Sequence, residues 1–290
     1  MDNELGTVGG WFEHLSERDL ELLARLARRA GVPAPAVRRD PAALVQVLAH
    51  PATFDAVFRR PDDDTLVATS PFLTFALLVH RGWTDLHSVR HIDEWVGLRQ
   101  RLPVLGGDDL REFLAAPHRR LFLTELLASY TRVASGSTWV PTRRGWHRRR
   151  FNELDPLPLA SLLEVVPDEQ RPGVYRRLGD LALFLTGVFP DHTERQGLGL
   201  LEEGRLVRMS GLVVDERDGL PLGPAATGTV GLLERLGERW YRLASRAAGG
   251  TTSVVAEVAD RFRLARRTLN YLTDRHLFAH RATWFGEPAT

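Results

Sequence analysis

A repeated helix-start pattern is the feature of this 290-residue sequence that most limits its fold. A capping side chain stands directly before a proline at Asp40-Pro41, Ser70-Pro71 and Asp155-Pro156, and an apolar run follows each pair. The oxygen of Asp or Ser can accept a hydrogen bond from a free N–H of the first helical turn. Proline suits the first helical position because it lacks an N–H that would need a partner. Each pattern therefore predicts the beginning of a helix.

Apolar residues at helical spacing extend this prediction over most of the chain. Ser16 and Asp19 have the spacing of a capping box, and a stripe of leucines follows them. The segment 172–188 is apolar on nearly every side, which predicts the most buried helix of the protein. Strand signals are few, and residues 136–150 and 197–224 lack helical periodicity. We therefore predict an all-α bundle of about ten helices with two long loops.

One short stretch of the sequence indicates a domain boundary. Proline and glycine are concentrated between Leu102 and Gly107, which is typical of a junction between helical regions. We expect either two helical subdomains, at 1–105 and 106–290, or one helical domain that includes the whole chain.

Composition excludes several kinds of chemistry. All 38 basic residues are arginine, and the chain has no cysteine. It therefore lacks a lysine for a Schiff base or a phosphate-binding loop, and a thiolate for nucleophilic attack, disulfide formation or zinc binding. An enzyme with this sequence would depend on His, carboxylate, Tyr, Ser or a bound cofactor. The 38 positive charges nearly balance 37 negative ones, so polyanion binding would need a local patch.

The sequence also indicates where the protein acts. Its first residues are acidic and lack the basic and apolar regions of a secretory signal. The longest uncharged runs are shorter than the roughly 20 residues of a membrane-spanning helix. We expect a cytoplasmic protein without a membrane span.

One segment concentrates arginine and tryptophan. Between Trp139 and Arg150 the predicted loop holds two tryptophans, one histidine and five arginines. Guanidinium groups match phosphate oxygens, and indole rings can stack on bases, so the segment suits an anionic ligand. The alternative is a loop whose arginines pair with nearby acids and whose tryptophans anchor it to the protein. The predicted ligand-binding residues are Arg143, Arg144, Trp146, Arg148, Arg149 and Arg150.

A second segment, 253–272, resembles the helix-turn-helix of transcription regulators. Leu269 and Leu272 would form the buried face of its recognition helix. The residues predicted to contact nucleic acid are Arg263, Arg266, Arg267 and Asn270, because arginine can read guanine and asparagine adenine. Arg263 stands where such motifs usually have glycine. One continuous amphipathic helix accounts for the same spacing.

Histidine pairs provide a third hypothesis. His87 and His91 are four residues apart, with Glu94 three residues further on, and His276 and His280 repeat the spacing of four. On helices each pair would share a face. If the pairs met, they could hold a divalent transition metal, because imidazole and carboxylate are the ligands that remain without thiolates. Chance pairing among ten histidines is the alternative.

Two segments of the chain resemble a known group of proteins. Residues 174–190, together with 121–130 upstream, resemble helical cytosolic proteins of bacteria, of actinobacterial type, that have no assigned activity. The resemblance implies a helical cytosolic protein and transfers no functional residue. We predict a non-enzymatic binding or regulatory protein without a cofactor, acting on a protein partner or an anionic ligand at the arginine–tryptophan segment. DNA binding and metal-dependent enzyme activity are the alternatives.

Overall fold

The structure of the protein is a computed structural model. It describes residues 10–59, 65, 69–131, 135–142, 145–152, 154–210, 228–247 and 253–280, with the backbone alone for 135–152 and residue 280. The described chain is mostly helical, which confirms the predicted fold class. Within these residues, no helix combines the length and hydrophobicity that a membrane crossing requires.

The chain divides into two compact units. Unit 1 comprises Met1–Glu94, Pro103–Thr131 and Thr268–Thr290, and unit 2 comprises Trp95–Leu102 and Arg132–Arg267. This division differs from a single boundary near residue 105. The chain contributes the short segment Trp95–Leu102 to unit 2, returns to unit 1, and then forms the rest of unit 2 from Arg132 to Arg267. From Thr268 onwards it belongs to unit 1 again.

Unit 1 is built around one long apolar helix. Helix α4 (Pro71–Asp85) packs against α2 (Pro41–Ala49), α3 (Pro51–Phe58) and α6 (Pro117–Ser129). Its residues from Ala76 to Val79 are fully buried. The elements that begin in unit 1 are α1 (Glu17–Ala27), α2 (Pro41–Ala49), α3 (Pro51–Phe58), α4 (Pro71–Asp85), β1 (His91–Gly97), α5 (Gly107–Ala115) and α6 (Pro117–Ser129). Strand β2 (Gln100–Leu105) pairs with β1 in a two-stranded sheet.

The predicted helix starts are confirmed by hydrogen bonds. Asp40, Ser70 and Asp155 each accept a bond from a backbone N–H of the following turn. Ser16 and Asp19 form the predicted capping box at the start of α1. The fully buried Asp19 also accepts a bond from the backbone N–H of Ser70 at 2.8 Å. One carboxylate thus joins the beginnings of α1 and α4.

Unit 2 is centred on two long helices, α8 (Arg171–Val188) and α11 (Thr229–Ala247), which pack closely along each other. Its elements are β3 (Ser135–Thr142), β4 (Gly145–Asn152), α7 (Pro156–Ala160), α8 (Arg171–Val188), α9 (Pro190–Gln196), α10 (Leu200–Met209), α11 (Thr229–Ala247) and α12 (Val254–Asp260). Helix α13 (Phe262–Leu272) begins in unit 2 and ends in unit 1, where a π-helical turn (Thr273–Leu277) follows it.

Helix α8 is buried along its second half, with Leu178, Leu181 and Leu183 fully buried. The prediction that it is the most buried helix is wrong, because the shorter α4 buries a larger share of its residues. The Asp180 carboxylate on this helix contacts Arg176 Nε at 2.9 Å and accepts a hydrogen bond from the Tyr241 hydroxyl at 2.8 Å. Its charge is therefore compensated within the fold, as a largely buried carboxylate requires.

Both predicted long loops need correction. Residues 136–150 belong mainly to an antiparallel hairpin, β3–β4, and the segment 197–224 contains helix α10. In the hairpin, Thr138, Val140 and Thr142 recur at every second position, a β-branched alternation that favours strand. In α10, Glu202 accepts a hydrogen bond from the backbone N–H of Gly199, which caps the helix. Residues 211–227 lie outside the described part of the chain.

Candidate functional site

The candidate site is the β3–β4 hairpin of unit 2, where the strand register sorts the arginine–tryptophan segment into two faces. Trp139 pairs with Arg148, Pro141 with Trp146, and Ser137 with Arg150. Residues that are paired across an antiparallel ladder share a face, and so do residues two positions apart. Trp139, Trp146, Arg148 and Arg150 therefore belong to one face, which we call the Trp–Arg face.

The opposite face has a different composition. It carries the pairs Val140–His147, Thr138–Arg149 and Gly136–Phe151. Arg149 is therefore separated from Arg148 and Arg150, although the three are consecutive in sequence. Arg143 and Arg144 lie outside the described residues. Of the six residues predicted from the sequence, the register places Trp146, Arg148 and Arg150 together, and the sequence prediction omitted Trp139.

The residue types on the Trp–Arg face are those that contact flat groups and anions in other proteins. Trp139 stands directly opposite Arg148, and Trp146 is its diagonal neighbour across the ladder. Directly opposite residues of an antiparallel ladder have Cβ atoms about 5 Å apart. Indole rings can stack on bases, while guanidinium forks can pair with phosphate oxygens.

The second predicted site, the helix-turn-helix-like segment, has a different structure and a different buried face. Residues 253–272 form α12 and α13, which are separated only at Arg261, so the segment is neither one continuous helix nor two helices joined by a longer turn. Leu269 and Leu272 are buried as predicted, but Arg266 and Asn270 are buried as well. The prediction that these two residues face a DNA groove is therefore wrong in this conformation.

The other two predicted contact residues, Arg263 and Arg267, are less buried than Arg266 and Asn270. Arg263 is exposed and Arg267 is half-buried. Arg266 forms an ion pair with Glu234 of α11, so its guanidinium is used within unit 2. Buried arginine requires such pairing because an isolated buried charge is strongly unfavourable.

The histidine pairs do not share helical faces as predicted. Helix α4 ends at Asp85, so His87 lies in the following turn and His91 begins strand β1, where Glu94 is buried. His276 lies in the π-helical turn, with its Nε2 3.4 Å from Oδ2 of Asp85. The side chain of His280 is outside the described part of the structure. No three metal-ligating side chains of the described residues lie together.

Sequence reasoning missed a buried polar cluster in unit 1. His80 of α4 is fully buried, and its Nδ1 lies 2.9 Å from the carbonyl oxygen of Ala76. Burial, together with the nearby positive charge of Arg120, lowers the pKa of His80 to about 3. Arg120 lies over the Trp83 ring at 4.1 Å and donates to the carbonyl oxygens of Leu114 and Ala115 at the end of α5.

We interpret this cluster as structural. Arg120 satisfies carbonyls that the end of a helix leaves without partners, and its positive charge is favourable at that end of the helix dipole. Burial lowers the pKa of Arg120 to about 10, so the guanidinium stays charged at neutral pH. In the sequence, the only sign of this role is that Arg120 stands next to the leucines of α6. Arginine is common on exposed helix surfaces, so its position alone did not predict burial.

Comparison with known proteins gives no family assignment. No protein-family model matches the chain, and no curated protein or solved structure is significantly similar to it.

Proposed function

We propose that this protein is a non-enzymatic cytoplasmic binding protein whose Trp–Arg face takes a nucleotide-bearing anion, with single-stranded nucleic acid as the favoured ligand. The observation that carries the proposal is the register of the β3–β4 hairpin, which brings Trp139 opposite Arg148. A binding role is favoured over catalysis because this face combines stacking and charge-pairing residues and contains no acid–base pair.

The geometry favours a single strand over a duplex. In a single strand the bases are open to stacking on tryptophan, whereas in a duplex they are stacked on one another. Duplex recognition through 253–272 is disfavoured because Arg266 and Asn270 are buried. The near balance of 38 positive and 37 negative charges also indicates a local patch rather than general attraction to polyanions.

The test is fluorescence anisotropy with labelled single-stranded DNA and RNA 12-mers, at several salt concentrations. Duplex DNA, AMP and inorganic phosphate serve as competitors, which distinguish an extended strand from a mononucleotide or a free anion. We expect the affinity to fall as salt rises, since arginine–phosphate contacts release counterions. Single strands should compete better than duplex DNA or AMP.

Adjacent arginines provide the matched control. Arg148→Ala and Arg149→Ala each remove one positive charge, but only Arg148 belongs to the Trp–Arg face. At about 0.15 M salt the Debye length is about 8 Å, so the charge on the far face contributes less. We expect Arg148→Ala to weaken binding about tenfold, a change of about 1.4 kcal/mol, and Arg149→Ala to weaken it much less.

Tryptophan substitution tests the stacking contribution. Trp139→Ala should weaken binding about tenfold or more, because a base stacked on an aromatic ring contributes about 1–3 kcal/mol. Val140→Ala, on the opposite face, should leave the affinity nearly unchanged. Equal losses in Arg148→Ala and Arg149→Ala, or no single-strand binding by the wild type, would contradict the proposal. Selective capture of a protein by the same face would instead support the partner-protein alternative.

A further inference from the structure

Unit 2 contains a cavity that the proposed hairpin function does not use. Its volume is about 730 Å³, within the roughly 300–1,000 Å³ typical of small-molecule sites. The wall is formed by residues between Leu154 and Leu233, contributed by the segment leading into α7, by α8, α9, α10 and α11, and by the connections between them. All of these residues belong to unit 2, and none lies in β3 or β4.

The interior of the cavity combines an apolar surface with an aromatic pair. Leu157, Leu185 and Leu233 line it together with Phe184 and Phe189. The two phenylalanine rings are 5.6 Å apart between centroids and nearly perpendicular, at 74°. Phe189 is 40% exposed, so a large part of its ring is accessible to a ligand. This wall suits a hydrocarbon or aromatic body.

The charged groups of the cavity are all acidic. Asp155 and Glu202 line it, and among the lining residues there is no arginine, although the chain has 38. Each carboxylate uses one oxygen to cap a helix, Asp155 Oδ1 with the Leu157 N–H at 3.0 Å and Glu202 Oε2 with the Gly199 N–H at 2.9 Å. Within the described residues neither carboxylate has an ion-pair partner, so each second oxygen can face a cation.

Two further polar side chains line the cavity. His192 and Gln196 lie one turn apart on α9, are exposed, and have no hydrogen-bond partner among the described side chains. The two threonines of the wall are already bonded: Thr193 donates to the Leu185 carbonyl, and Thr229 accepts from the Leu198 N–H. The lining of the cavity therefore includes two carboxylates and further side chains that can form hydrogen bonds.

We propose that this cavity binds an amphipathic organic cation, a molecule with an ammonium head and a hydrocarbon or aromatic body. The carboxylates attract the ammonium group. The faces of Phe184 and Phe189 favour a cation within about 6 Å of a ring centroid, through the negative face of the aromatic quadrupole. The leucines cover the body of the molecule and remove its apolar surface from water.

Isothermal titration of the full chain with hexyltrimethylammonium tests this proposal, with hexanesulfonate as a probe of equal chain length and opposite charge. We expect the ammonium probe to bind at least about tenfold more tightly than the sulfonate, the equivalent of about 1.4 kcal/mol. Nuclear Overhauser effects from the N-methyl protons to phenylalanine ring protons should place the head beside Phe184 and Phe189.

Two double variants compare the effect of the cavity carboxylates on binding with the effect of carboxylates elsewhere on the protein. Asp155→Asn with Glu202→Gln removes both cavity charges while keeping an oxygen for each cap. Glu203→Gln with Asp168→Asn removes two charges that do not line the cavity. We expect the first pair to weaken binding of the ammonium probe at least about tenfold, and the second pair to change it less than about twofold. Thermal melts of both variants check that the fold is kept.

The proposal is overturned by any of three results: no binding of the ammonium probe to the wild type, equal binding of the sulfonate, or equal losses in the two double variants. If the first double variant does not fold, Phe189→Ala provides the second test, because this ring is partly exposed and its loss should weaken binding several-fold. Unchanged binding in that variant would count against the aromatic wall. None of these results depends on the hairpin.

Discussion

Arg266 Nε lies 2.8 Å from Glu234 Oε2, and the arginine side chain is fully buried. The pair joins α13 to α11 within unit 2. Glu234 keeps some exposure, with 20% of its side chain accessible. A charge that is removed from water in this way depends on its partner, since the guanidinium loses its hydration when the chain folds.

Removing one member of this pair should strongly destabilise the protein. We expect Arg266→Ala to lower the free energy of unfolding by about 3–5 kcal/mol, the cost typical of breaking a buried ion pair. Arg263→Ala is the control, because Arg263 is exposed on the same helix and should cost less than about 0.5 kcal/mol. Urea unfolding followed by circular dichroism measures both. Similar losses in the two variants would contradict the buried pairing.

Arg266 also shows why part of the site could not be predicted from the sequence. Helical spacing correctly placed Leu269 and Leu272 on a buried face of α13. It could not reveal that Phe262, Ala265, Arg266 and Asn270 are buried too, because the surface that a helix exposes depends on how many neighbours surround it. A polar residue was therefore assigned to solvent when its partner was an acid 32 residues earlier in the sequence.

Two glycines on α8 should respond to substitution in opposite directions. A Cβ atom at Gly179 would lie 2.4 Å from a carbon of the Tyr241 ring, whereas one at Gly173 would have nothing within 4 Å. Gly179→Ala should destabilise the protein by about 1–3 kcal/mol through overpacking against α11. Gly173→Ala should stabilise it by up to about 1 kcal/mol, because alanine favours the helix.

Thermal or urea unfolding of the two alanine variants tests this contrast. Since both changes add one methyl group to the same helix, a shared effect on helix propensity cancels in the comparison. Stabilisation by Gly179→Ala would mean that α8 and α11 do not approach each other as closely as the structure shows.

The helices were more predictable than the hairpin for a physical reason. A capping residue and its proline act within one turn, so Asp40, Ser70 and Asp155 identify helix starts without knowledge of the rest of the fold. The β3–β4 hairpin depends on pairing between two short strands, each rich in polar residues. Successive residues of a strand lie on opposite faces, but Arg148 to Arg150 have the same side chain on both faces. The run therefore hides the period-two pattern by which a strand is recognised.

Replacing Arg120, which belongs to the buried polar cluster of unit 1, should lower the free energy of unfolding. Arg120→Met keeps most of the apolar side-chain length but removes the donors to the Leu114 and Ala115 carbonyls. We expect the free energy of unfolding to fall by about 2–4 kcal/mol, since hydrogen bonds from a charged group are lost and buried acceptors remain. Arg119→Met, beside it on α6, removes a guanidinium lying over Phe113 at 5.3 Å and should cost about 1 kcal/mol or less.

Unfolding in urea at pH 7 distinguishes these two variants. In the Arg120→Met protein the pKa of His80 should also rise, because a nearby positive charge that disfavours the imidazolium has been removed. Titration of the histidine ring protons by NMR reports this shift. An unchanged His80 pKa would show that Arg120 does not act on the ring.

The buried His80 should make folding sensitive to acid. Its pKa is about 3 in the folded protein and 6.5 for an unperturbed histidine, so the unfolded chain binds the proton first as the pH falls. Stability attributable to His80 is therefore complete above about pH 6.5 and is lost progressively towards pH 3. At pH 4 the loss relative to pH 7 should be about 3 kcal/mol, from a cost of about 1.4 kcal/mol for each pH unit.

His80→Leu isolates this contribution. The variant removes the titrating ring from its contact with Trp11, whose ring centroid lies 4.9 Å away, and replaces it with an apolar side chain that cannot take up a proton. We expect its unfolding free energy to decline by about 3 kcal/mol less than that of the wild type between pH 7 and pH 4. His87→Leu, at an exposed histidine of the same region, is the control for the replacement of an imidazole by an apolar side chain. Parallel losses in the wild type and His80→Leu would show that other groups cause the acid sensitivity.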